Sequence, residues 1–134
     1  MAITVGIADD SKAFRSHLKR RIKSLKAVEI LGEAASIEET RQLLQATPLD
    51  VLILDYRFPE RNGTELLAEL TKWREKPLVI VCTNFAQPEY RKICLAAGAD
   101  YFFDKTFQFQ EMLDLLSCLS SKRADRELRA GPNT

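Results

Sequence analysis

The chain has little of what staples a very small or secreted domain. Its 134 residues include 3 cysteines, Cys82, Cys94 and Cys118. Their spacing suits neither a zinc site nor a disulfide framework, so a reducing, cytoplasmic setting is expected. The single histidine, His17, lies beside an apolar helical stripe and is expected to be partly exposed, supporting neither a metal site nor a phosphohistidine. Charge of one sign is also missing: Lys+Arg 20 against Asp+Glu 19 leaves +1, which excludes a strongly basic chain and makes no whole-protein case for nucleic acid. No apolar stretch approaches the roughly 18 residues of a membrane span. The start, Met-Ala-Ile-Thr-Val-Gly-Ile-Ala, has no basic region and does not read as a signal peptide. Gly 5 and Pro 5 form no interdomain linker, and there is no internal repeat.

What is present is ordinary for a globular domain: 46% hydrophobic and 29% charged residues, too apolar for a disordered chain. The length fits one domain of roughly 100–200 residues. Such a domain buries about two thirds of its unfolded surface and folds without a staple.

Short apolar runs alternate with helix-period segments. Residues 3–8, 28–34, 51–54, 78–82 and 101–103 read as strands. Residues 11–26 put Phe14, Leu18, Ile22 and Leu25 on one helical face. Ser36 followed by Glu39 is a capping-box signal for a second helix carrying Ile37, Leu43 and Leu44, with Pro48 after its end. A third helix over 64–73 presents Leu66, Leu70 and Trp73 before Pro77. A fourth over 88–97 has Pro at its start and Gly98 just past its end. A fifth over 109–119 turns Met112, Leu115, Leu116 and Leu119 inward. The wholly apolar run Val51–Leu54 suits a parallel strand covered on both faces. Regular alternation implies a parallel sheet with helices on both sides, and right-handed crossovers leave few topologies. A doubly wound α/β sheet in the order 2-1-3-4-5 is the simplest. Residues 1–119 then form the domain, and 120–134 a charged helical extension ending in a flexible tail.

Open α/β sheets bind ligands beyond the carboxyl ends of their strands. In this order, strands one, three, four and five deliver Asp9-Asp10, Asp55, Thr83 and Lys105 to one edge. Singly, Asp9-Asp10 would cap a helix and Asp55 a loop. Together, three carboxylates repel one another and resist ionising. A hard cation with few protein ligands, Mg2+, relieves that repulsion, and Lys105 balances more of the charge. The cluster is a candidate site for Mg2+ and an anion. A phosphoryl group fits, since its transfer needs positioning and charge neutralisation.

At these residues the chain resembles the receiver domain of two-component response regulators, chemotaxis receivers included. Asp9-Asp10, Asp55, Thr83 and Lys105 fall in order at strand ends, Pro59 and Gly63 follow Asp55 at the family's offsets, and Gly98-Ala99-Asp100-Tyr101-Phe102 leads to the lysine. The resemblance covers residues 3–119. It implies a flavodoxin-like doubly wound (βα)5 three-layer sandwich, whose strand order flavodoxin and the chemotaxis receivers share. It also implies that Asp55 is the phosphoacceptor. Asp10 ligates Mg2+ directly, Asp9 does so through water, and the backbone carbonyl of Arg57 is a third protein ligand. Lys105 bridges to a phosphoryl oxygen and Thr83 binds another. Phe102 is the switch aromatic that fills the space Thr83 vacates, altering the surface of the fourth helix, fifth strand and fifth helix. The implied partners are a histidine kinase or histidine phosphotransfer protein, a downstream protein target, and a second copy of the chain across that surface. No membrane is implied, and nucleic acid is not expected to bind within this chain. The chain would be a phosphoacceptor signalling domain that catalyses only its own modification.

Two departures stand out. Thr106 follows Lys105 where many receivers carry proline, so no cis Lys–Pro bond holds the lysine and its loop is expected to be looser or built differently. Phe102 lacks the hydroxyl of the tyrosine common there and can switch only by packing. Arg57 and Phe85 sit where receivers vary in access of attacking water, and imply a bulky mouth and slow dephosphorylation. The first helix carries Lys12, Arg15, Lys19, Arg20, Arg21, Lys23 and Lys26 with no acid. In receivers this helix lies near the phosphodonor's docking surface, so the strip suits steering of an acidic partner. Three alternatives remain. One is a receiver cut from a larger DNA-binding regulator, and another a phosphorylation-independent interaction module. The third, an aspartyl-phosphate hydrolase, is disfavoured because Arg57 occupies the position of its second acid.

Overall fold

The computed structural model describes residues 2–130, with side chains described through Arg123. Five strands and five helices alternate: β1 Ile3–Ala8, α1 Lys12–Lys23, β2 Val28–Ala34, α2 Ile37–Ala46, β3 Val51–Leu54, α3 Thr64–Leu70, β4 Leu78–Thr83, α4 Pro88–Ala97, β5 Tyr101–Asp104 and α5 Phe109–Ala130. The sheet is parallel throughout, in the order β2-β1-β3-β4-β5. This is the expected flavodoxin-like sandwich. Among the described residues no helix is long and apolar enough to cross a membrane. The tail at 131–134 lies outside the described residues.

Strand alternation divides the core into two layers. Leu52 and Leu54 of β3 and Val79 and Val81 of β4 pack with Leu66, Leu67 and Leu70 of α3 and Cys94 of α4. Val51, Ile53, Ile80 and Cys82 face the other way, against Leu18 and Ile22 of α1 and Met112, Leu113 and Leu116 of α5. Each such buried side chain contributes about 1.5–3 kcal/mol relative to exposure. The central strands are therefore fixed in register by both faces. β2, at the edge, is held on one side only, and its pairing with β1 shifts between Val5 and Gly6.

The helix signals operate as read at α2, where the Ser36 hydroxyl accepts from the Glu39 N–H at 3.0 Å. Several boundaries differ from expectation. α1 stops at Lys23, three residues early, because Ala27 adopts φ 58 and turns the chain into β2. α3 ends at Leu70, not Trp73: the Lys72 and Trp73 N–H groups bond to the carbonyls of Glu69 and Leu70, three residues back, so the last turn tightens. Trp73 still packs half-buried against the core. β4 and β5 each run one residue further, pairing Thr83 with Asp104. α5 continues unbroken past 119 to Ala130, and Leu113, unmarked in the sequence reading, is buried within it. Gly98 closes α4 at φ 123, and a Cβ there would lie 2.6 Å from Thr71 Cγ2, so both backbone and space require glycine.

Candidate functional site

Backbone pairing brings the acids together. The Asp9 N–H donates to the Ala34 carbonyl (3.0 Å) and the Asp55 N–H to the Ala8 carbonyl (2.9 Å), so both carboxylates leave neighbouring strands at the same level. The start of α1 holds Asp9 further. The Ser11 N–H donates to Asp9 Oδ1 at 2.8 Å, and an Arg15 guanidinium N–H donates to the Asp9 carbonyl at 2.6 Å. Lys105 follows β5, its N–H donating to the Thr83 carbonyl at 3.0 Å. Its Nζ reaches Asp9 Oδ2 at 2.7 Å and Asp55 Oδ2 at 3.1 Å. Asp9, Asp55 and Thr83 are buried, while Asp10 is exposed at the rim.

The electrostatics are unbalanced. One carboxylate oxygen from each of Asp9, Asp10 and Asp55 lies within 4.8 Å of the others, against the single ammonium of Lys105. Asp55 Oδ1 is buried without a hydrogen-bond partner among the described residues. Asp9 Oδ2 likewise has none, its contact with Lys105 being an ion pair out of hydrogen-bond line. Burial pushes the Asp9 carboxyl above its ordinary range and the charge of Asp55 adds to this, outweighing Lys105 and the Ser11 N–H. Burial alone would lower the Lys105 ammonium, but its ion pair with Asp9 and the fields of both acids raise it, so it stays a cation. The Asp55 oxygen without a hydrogen bond, the Asp9 oxygen held only by the Lys105 ion pair and the solvent-facing Asp10 make an oxygen-only donor set. That set fits Mg2+.

Side chains from the segments after β3 and β4 and from α4 form a stack. The Arg57 guanidinium lies 4.4 Å above the Phe85 ring, Phe85 meets Tyr90 edge-on at 6.2 Å, and Tyr90 lies 5.3 Å from Tyr56. The loop beneath is tight: Arg57 bridges to Asn62, and the Gly63 N–H reaches the Tyr56 carbonyl at 2.7 Å. The Thr83 hydroxyl accepts from the Phe85 N–H at 3.2 Å. Phe102 is buried in the core layer of α3 and α4. Arg91 of α4 lies 5.9 Å from its ring and donates to its carbonyl at 3.1 Å.

The lysine loop is held by hydrogen bonds to Asp104 and Asn84. Asp104 Oδ1 accepts from the Thr106 and Phe107 N–H groups at 2.8 and 3.2 Å, and the Thr106 hydroxyl reaches Asn84 Oδ1 at 3.3 Å. Sequence reasoning passed over Asp104, although an aspartate with its turn two residues on is a recognisable signal. On α1, Arg15 and Lys19 both pair with Glu33 of β2 and draw its carboxyl below the usual range. Arg21 donates to Gln110 at 2.9 Å. Lys12, Arg20, Lys23 and Lys26 remain exposed. His17 is exposed and stacks on Phe109 at 5.0 Å. Cys82 and Cys94 are buried, which pushes their thiols up to about 12 and about 11, while Cys118 is exposed.

Comparisons with known proteins agree with this geometry. The chain is 30% identical to the chemotaxis protein CheY of Halobacterium salinarum over 117 residues, covering 87% of this chain and 96% of that one. It is 34% identical to a protein-glutamate methylesterase/protein-glutamine glutaminase of Vibrio vulnificus, covering 95% of this chain but 38% of that protein. Among solved structures, a CheY-like receiver from Methanospirillum hungatei superposes with a TM-score of 0.79 at 23% identity, over 95% of this chain and all of that one. The receiver domain of NarL from Mycobacterium tuberculosis gives 0.80 at 24%, over 90% and 97%. Residues 5–117 match the family described as the response regulator receiver domain. The chain therefore belongs to the receiver-domain family of two-component response regulators, a family of signal transduction.

Proposed function

We propose that the domain accepts a phosphoryl group on Asp55 from the phosphohistidine of a histidine kinase or phosphotransfer protein. The observation that carries this reading is the convergence of Asp9, Asp10 and Asp55 on one lysine, with the buried Oδ1 of Asp55 left without a hydrogen bond among the described residues. A carboxylate oxygen of Asp55 attacks phosphorus. The new P–O bond forms as the P–N bond to the donor breaks, and the imidazole leaves with the electron pair. Asp10, Asp9, Asp55 and the Arg57 carbonyl would hold Mg2+, which supplies charge neutralisation for the phosphoryl oxygens. Lys105 balances the charge that the acyl phosphate adds, and the Thr83 hydroxyl turns from the Phe85 N–H to a phosphoryl oxygen. The space it leaves admits Phe102, whose movement breaks the Arg91 contact and alters the face of α4, β5 and α5. That face would engage the downstream target or a second copy. The exposed lysines and arginine of α1 would steer an acidic phosphodonor. The Arg57–Phe85 stack restricts water at the mouth, so the acyl phosphate persists beyond seconds.

Beryllofluoride or a small phosphodonor tests the reading. The wild type should respond only with Mg2+, and Asp55→Ala should not respond. A mass gain that survives Asp55→Ala would overturn the assignment. Failure to bind Mg2+ would instead favour a phosphorylation-independent interaction module.

A further inference from the structure

Phe14 has no part in that reaction, yet its ring lies against the group the reaction needs. Lys105 Nζ is 4.2 Å from the centroid of the Phe14 ring, well inside the roughly 6 Å range of cation–π attraction. The lysine side chain is only 10% exposed, so the attraction acts where water competes weakly. The ring is itself oriented: Phe109 of α5 meets it edge-on at 6.0 Å and 77°, leaving a face for the ammonium. Phe109 is held in turn between His17 at 5.0 Å and Arg21 at 5.6 Å.

We propose that Phe14 is a positioning residue for Lys105, its ring face holding the ammonium over Asp9 and Asp55. Two features of the chain ask for such a device. Thr106 leaves the lysine loop without the stiffness of a proline, and the Asp104 turn fixes the backbone but not the four-carbon side chain, which has many rotamers. The acids, moreover, are unreliable anchors during the reaction: a phosphoryl group on Asp55, or a cation on Asp9, alters their hold on the ammonium. The attraction of the ring depends on neither. α1 thus serves the site twice, since its N-cap residue Ser11 fixes Asp9 and its first turn presents the ring.

This inference rests on the phosphoryl-transfer reading for its consequence, but its geometry can be measured separately. In the NMR spectrum of the protein without metal or phosphodonor, the Lys105 ε-methylene protons should be shifted upfield by the ring. Loss of the signal in Lys105→Gln assigns it, and Phe14→Leu should return it to the ordinary position. An unshifted signal in the wild type overturns the proposal whatever Asp55 does. For the consequence, Phe14 is replaced by mono-, di- and trifluorinated phenylalanine, which weakens the ring's negative face at nearly constant shape. Mg2+-dependent beryllofluoride affinity should fall stepwise, by roughly tenfold across the series, while thermal stability holds. A flat series would show that Phe14 is packing alone. A wild type that keeps the upfield signal but binds no beryllofluoride refutes the phosphoryl reading and leaves the contact standing.

Discussion

The two ends of the sheet treat a carboxylate in opposite ways. At the amino end, Asp50 is satisfied: it accepts from the Thr4 N–H at 2.8 Å and the Thr4 hydroxyl at 3.1 Å, and it pairs with Arg123 of α5. Burial alone would raise its carboxyl, but these donors outweigh burial and hold it below the ordinary range. At the carboxyl end, Asp9 is buried beside a second acid, is raised, and keeps an oxygen without a hydrogen bond. One aspartate ties strands and a helix together. The other is held in a state that a bound cation would relieve. Stability is concentrated at one end of the strands and chemical potential at the other.

The largest expected difference is in reactivity. Asp55→Ala should abolish phosphoryl uptake, a loss of at least about 100-fold if Asp55 is the only nucleophile, while Asp50→Ala leaves it near wild type; intact-protein mass measures both. Next comes the metal. At a hundredfold excess over its Kd, Mg2+ should stabilise the wild type by about 2.7 kcal/mol in denaturant titrations. Asp50→Ala should keep that increment, and Asp10→Ala should lose most of it. Without metal, Asp50→Ala should cost about 1–2 kcal/mol, mostly from the stranded Thr4 N–H, since its half-exposed pair with Arg123 adds little. Asp55→Asn should go the other way, gaining about 1 kcal/mol by removing one of the clustered charges. An equal loss in both variants would erase the contrast.

The smallest effect is on pH dependence. The folded Asp50 carboxyl lies below its ordinary value of 3.8, so its contribution is complete above about pH 4 and disappears as pH falls through the depressed value. Asp9 is raised above 3.8, so its ionisation weakens the fold as pH rises through that raised value. Asp50→Asn should therefore blunt acid destabilisation below pH 4, and Asp9→Asn should remove a decline above it, both read from urea midpoints across pH.

Where neighbouring residues alone decide a structure, the sequence was sufficient. β1, β2, β3 and α4 begin and end at the residues that apolar runs, Pro88 and Gly98 mark. α3 was over-read because Trp73 keeps the helical spacing while the backbone has already tightened into three-residue bonds. The acids and Lys105 were legible because sheet order converts chain order into proximity. The cation–π contact of Phe14 was not, because a ring on the apolar stripe of α1 looks the same in sequence whether it faces leucine or an ammonium.

An open sheet leaves two borders whose outer backbone groups can recruit a strand from another molecule. On β2 the register shift beside Gly6 kinks the border, and Glu29 and Glu33 place charge along it. On β5 the border is only four residues long, and Arg91 already occupies the Phe102 carbonyl. Protection against unwanted sheet extension is thus permanent on one flank. On the other it depends on the Arg91 side chain, so Arg91→Ala should open the Phe102 carbonyl to β-strand recruitment.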